Sequence, residues 1–170
     1  MNPEAYRSWN QDLPWLNEEE AWPAALFPDA QYHYFADCGC LVTSLAVMLR
    51  RFRIEPETDE ALFNPWILNR RLIEAGAFFP SADLDLRRIS RLYPLEYDGQ
   101  IPYSRETLVR LWETGNPFLV TVPGVRAPRH FIAPDQLTED DLTVFDPLWP
   151  KKRLSEYETV CELRVFVPAV

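Results

Sequence analysis

Two of the chain's three cysteines, Cys38 and Cys40, stand two residues apart in "DCGCLVTSL" (37–45), with Gly39 between them. Only two histidines are present, His33 and His130. A nucleophilic cysteine needs a base that titrates near neutral pH, and imidazole is the usual one. Residues 40–53 read as a helix that is apolar almost all round until Arg50, Arg51 and Arg53, the mark of a central, buried helix. Cys40 would open that helix, where unpaired N–H groups and the helix dipole favour thiolate over thiol. Cys38 lies too early to gain as much. Gly39 would leave room for a substrate to approach.

The base has two candidates. His33 lies in a short aromatic segment seven residues before Cys40, whereas His130 opens a β-rich run, "HFIA" (130–133). That run and "LTVFD" (142–146) flank an acidic stretch and read as a hairpin. With its turn centred near Thr138, His130 and Asp146 fall directly opposite each other with side chains on one face. An aspartate there fixes the imidazole tautomer and stabilises the imidazolium. A slip of one residue would separate the pair.

Plainer roles stand beside these. A buried cysteine is most often a small hydrophobe, and Cys161, on the last β-run, reads as core. Cys-x-Cys can be half a metal site, but no second Cys or His pair has ligand spacing, so neither a metal nor any other cofactor is expected. A Cys38–Cys40 disulfide would close a tight, strained ring.

The elements that must position these residues fall into two kinds. Residues 1–36 hold four prolines and three tryptophans (Trp9, Trp15, Trp22) and read as an irregular, aromatic-anchored lead-in. Residues 37–114 read as helical. After the cysteine helix come segments at 59–75, interrupted at Pro65, at 84–93, and at 105–113, the last with Ser104 as N-cap and Gly115 as stop. From 115 to 170 the runs are short and β-rich: 117–122, 130–133, 142–146 and 161–167. Helices first and an antiparallel sheet after make an α+β class, and 170 residues suit a single domain.

A net charge of −9 argues against nucleic-acid partners and anionic membranes. No apolar run approaches the roughly 20 residues of a membrane span. The first residues lack the basic and apolar regions of a signal peptide. An odd cysteine count adds to the expectation of a reducing, cytoplasmic location, with a virion-carried or host-exported protein as the alternative. No pattern sets an oligomeric state.

The stretch "DCGCLVTSLAVMLRRF" resembles the nucleophile helix of papain-like cysteine peptidases of the bacteriocin-processing (double-glycine leader) superfamily, in particular their standalone relatives. Gly39, Cys40, Thr43, Ser44, Leu45, Ala46 and Leu49 fit the pattern Gly-Cys-x-x-Thr-Ser-Leu-Ala-x-x-Leu. "GNPFLVTVPG" (115–124) is similar to the strand ahead of the catalytic histidine, "RHFI" carries His130 in its place, and "VFDPLW" (144–149) resembles the Asp-Pro motif. "LSEY" (154–157) before a final β-run resembles the usual ending, and "WNQDLPW" (9–15) the usual opening. The resemblance implies a papain-like fold, with the cysteine on a central helix packed on a C-terminal antiparallel sheet. It implies a hydrolase that cleaves peptide bonds with Cys40 as nucleophile, His130 as base, Asp146 as its orienter and Gln11 as oxyanion donor, Gln31 being the rival for the last role. A peptide or protein would be the substrate. Thioester-based acyl transfer and a catalytically degenerate binding module are the alternatives. The chain departs from the family at Tyr34, where a glutamine is expected six residues before the nucleophile, and at "FIAPDQL", which lacks the usual glycine turn.

Overall fold

The computed structural model describes residues 9–11 and 20–169. Their order is a one-turn helix α1 (Phe35–Cys38), α2 (Cys40–Arg51), α3 (Pro65–Glu74), a 3-10 helix (Leu86–Arg91), β1 (Leu95–Pro102), α4 (Arg105–Thr114), β2 (Phe118–Pro123), β3 (Arg129–Leu137), β4 (Leu142–Phe145), a 3-10 turn (Leu154–Glu156) and β5 (Glu162–Pro168). The five strands make one sheet in the order β1-β5-β2-β3-β4, with every neighbouring pair antiparallel. The class is α+β.

Local chemistry accounts for the boundaries. Ser104 caps α4 by accepting from the Thr107 N–H, and Gly115 ends it at φ +72°. Asn64 caps α3 through the Ile67 N–H, so Pro65 occupies the first helical position, where its missing N–H is not needed. The segment expected as one interrupted helix over 59–75 is therefore a turn followed by a helix. The helix expected over 84–93 is a 3-10 helix, opened by Asp85, which accepts from the Arg87 N–H. The stretch read as helical also contains β1. Along β1 burial alternates strictly from Leu95 to Pro102, the period of a strand with one face covered.

The core has two clusters. One surrounds α2, whose residues from Val42 to Arg50 are all buried, and takes in Trp9, Trp22, Phe27 and Phe35 from the lead-in. The other joins Leu108 and Leu111 of α4 to the sheet. Alternation along β2 divides the strand between them: Leu119 packs in the first cluster, and Phe118, Val120 and Val122 pack in the second. Phe52, just past α2, touches both. Trp15 lies outside the described residues.

Candidate active site

Cys40 is the first residue of α2 and is 7% exposed. The preceding residue, Gly39, has no side chain with which to cap the helix. That glycine is not an open approach for substrate. A Cβ on it would lie 2.3 Å from ring carbons of Phe35 and 2.5 Å from the Phe35 carbonyl. It is glycine because α1 folds back against its own backbone there, and the Gly39 N–H bonds the Phe35 carbonyl at 2.7 Å.

β3 supplies His130, which is 3% exposed. Its Nε2 is 2.7 Å from Asp146 Oδ1, and the Cys40 side chain is near enough to the ring to help raise its pKa. With Nε2 taken by the aspartate, Nδ1 is the nitrogen left for the thiol. Burial disfavours the imidazolium, but the bond to Asp146, the neighbouring Cys40 side chain and the charges on both outweigh it and lift the His130 pKa to about 9. Trp149 covers the ring, its centroid 4.8 Å from that of His130.

Asp146 lies one residue beyond β4, its side chain fully buried against His130. Oδ1 also accepts the backbone N–H groups of Leu148 (2.8 Å) and Trp149 (2.9 Å), and Oδ2 accepts the Tyr157 hydroxyl. Burial raises the carboxyl pKa, yet its hydrogen bonds and the His130 charge bring it below the ordinary value.

The hairpin reaches this arrangement by a different register from the direct pairing read in the sequence. The turn spans Thr138–Asp141, closed by the Thr138 N–H on the Asp141 carbonyl at 2.8 Å. Leu137 then pairs with Leu142, and after an irregularity at Asp135, Ala133 pairs with Phe145. Continued by one step, that register sets Asp146 opposite Ile132, a diagonal neighbour of His130 on the same face. An irregularity that takes up one residue keeps both on that face.

Gln11 is 1% exposed, its N–H on the Pro147 carbonyl (3.0 Å) and its Nε2 on the Ala36 carbonyl (2.8 Å), four residues before Cys40. Its Oε1 is buried with no hydrogen-bond partner among the described residues. Gln31 is exposed, donates to the Tyr32 hydroxyl at 3.3 Å, and lines the same cleft as Cys40. His33 is engaged by the Trp22 carbonyl, away from the thiol. Cys38 is half-buried, and burial foremost, then the charges of Cys40, Asp37 and Asp83, push its pKa up to about 12. Cys161, expected in the core, is exposed just ahead of β5, although its N–H still bonds the Thr121 carbonyl at 2.9 Å. All three cysteines are free.

Cys40 opens onto a cleft of about 610 Å³. Trp22 and Phe78 are among its apolar lining, Asp29 and Asp83 stand on one side, and Arg129 and Arg164 come from the sheet. Among the described residues no group of His, Cys, Asp and Glu could hold a metal ion, and no helix is long and apolar enough to cross a membrane. Two site features carried no signal in the residue pattern, Trp149 over the imidazole and Tyr157 on the carboxylate. Each is an aromatic whose partner lies across a loop, and only the need of a buried Tyr hydroxyl for an acceptor hints at the second. No protein-family model, no curated protein and no solved structure matches the chain.

Proposed function

We propose that the protein is a papain-like cysteine hydrolase that cleaves peptide (amide) bonds. The observation that carries the reading is one imidazole held between a buried carboxylate and a cysteine at a helix N-terminus on a cleft. In the proposed reaction the Cys40 sulfur adds to the carbonyl carbon of a peptide or protein substrate, and its proton resides on His130. His130 gives that proton to the leaving amine as the C–N bond breaks. Water, deprotonated by His130, then attacks the thioester, releases the acyl group as the carboxylic acid and leaves the Cys40 thiolate beside protonated His130, as at the start. Asp146 keeps the imidazole oriented and stabilises its charge. The Cys40 backbone N–H and the second N–H of the Gln11 amide are the proposed donors to the oxyanion. Acyl transfer to another nucleophile would use the same thioester. The three free thiols support a reducing, cytoplasmic setting.

The test is alkylation by an electrophilic thiol probe at neutral pH. Cys40 is expected to react faster than Cys161, which is exposed and serves as an internal reference for access. His130→Ala should slow Cys40 by roughly tenfold or more. If Cys40 reacts no faster than Cys161, the hydrolase reading falls and a binding module takes its place. A varied peptide library, incubated with wild type and with Cys40→Ala, then identifies the bond that is cut.

A further inference from the structure

We propose that Tyr157 is the positioning residue of the His130–Asp146 pair: its buried hydroxyl donates to Asp146 Oδ2 and thereby holds Oδ1 on the imidazole. This rests on the hydrolase reading for its meaning but not for its geometry. A carboxylate that projects from a turn just past a strand end can rotate about its last bond. The backbone N–H groups of Leu148 and Trp149 and the His130 Nε2 all converge on Oδ1, so they do not fix Oδ2. Among the described residues Tyr157 alone donates a hydrogen bond to that oxygen. It comes from a separate element, the residue that ends the 3-10 turn Leu154–Glu156.

The hydroxyl has a second effect. A buried carboxylate with one unsatisfied oxygen is costly to keep ionised. The Tyr157 bond offsets that, as does the His130 charge. Its ring is held in place independently of the hydroxyl, by Trp149 at 6.4 Å between centroids and by the Lys151 ammonium 4.5 Å from its centroid. Other charges near Asp146 are Lys151, Lys152, Arg153 and Asp135, which line with it a second cleft of about 670 Å³, distinct from the one at Cys40, and Glu156, which acts on Tyr157.

Tyr157→Phe in the full chain isolates the hydroxyl, because the ring and its packing remain. The readout is NMR titration of the His130 ring protons, told apart from those of His33 by the spectrum of His130→Ala. In wild type the acid inflection reports protonation of Asp146. In Tyr157→Phe that inflection should move to higher pH, by on the order of one pH unit. 3-Fluorotyrosine at position 157, a stronger donor, should move it the other way, and keeps the test open if the phenylalanine variant fails to fold. An unmoved inflection in a folded variant overturns the proposal, since a merely structural tyrosine would change stability alone. If the inflection moves while wild-type Cys40 reacts no faster than Cys161, the hydrolase reading fails and the positioning role stands.

Discussion

At the scale of single residues, the imidazole has a charge state that can be tested. Because the His130 pKa is raised to about 9, it carries a proton at neutral pH. The stabilisation from its partners is complete below its ordinary value of 6.5 and is lost as pH rises through about 9. For Asp146 the shift is downward, so its contribution is present above the ordinary 3.8 and is lost as pH falls through the lowered value. Asp146→Asn should therefore lower the urea midpoint most between about pH 4 and 6.5, with the gap to wild type narrowing above pH 9 as the His130 charge is lost. The same variant should bring the His130 titration down toward 6.5 and slow Cys40 alkylation at neutral pH by about tenfold or more. Cys40, His130 and Asp146 were legible in the sequence because residue type and a helix or strand period both marked them. Tyr157 was not, since nothing in "LSEY" says which carboxylate its hydroxyl meets. Cys161 was misread because a β-rich run does not reveal which of its residues the rest of the fold covers.

At the scale of elements, the position of Cys40 depends on the break between α1 and α2. Gly39 has ordinary backbone angles, φ −73° and ψ 2°, so the glycine is there for space and not for conformation. The atoms in the way of a Cβ are two carbons of the Phe35 ring, itself fully buried against Trp22, and a backbone carbonyl. Neither can retreat cheaply, and Gly39→Ala should destabilise the fold by about 1–3 kcal/mol, read as a lower urea midpoint with unchanged slope. Gly39→Ala in a Phe35→Leu background should recover part of the loss, which would be absent if the glycine served only substrate access. The helix itself was plain from its apolar run, and so were four of the five strands. β1 was missed for a physical reason: Glu96, Asp98 and Gln100 face outward, leaving Leu95, Tyr97 and Ile101 as a sparse apolar signal beside a Gly99 irregularity. The hairpin was right in its strands and wrong in its turn, because an acidic stretch from Thr138 to Asp141 offers several centres and no Asn-Gly or Asp-Gly pair to choose among them.

At the scale of the whole molecule, the site belongs to neither core cluster alone. Cys40 is carried by α2 of the first cluster, and His130 and Asp146 continue the sheet face that bears Ile132 and Val144 of the second. What holds the two in register is the α2–β3 contact. The Ser44 hydroxyl donates to the Phe131 carbonyl at 2.8 Å, and the Arg51 guanidinium donates to the Asp135 carbonyl at the irregularity in β3. Phe52 adds apolar contact to both sides, its ring 6.1 Å from those of Trp112 and Phe118. Two cores joined by a shared strand, β2, should open together, so urea unfolding should follow one transition by far-UV circular dichroism and tryptophan fluorescence. Cys40 hyper-reactivity should vanish along that same curve, because losing the docking of α2 on β3 removes the imidazole from the thiol. Ser44→Ala tests the link directly. It leaves a buried carbonyl without its donor and should lower the midpoint by an amount corresponding to about 1–3 kcal/mol. Within the folded baseline it should also reduce the excess reactivity of Cys40 over Cys161. Reactivity lost well before the spectroscopic transition would instead mean that the helix N-terminus detaches as a separate unit.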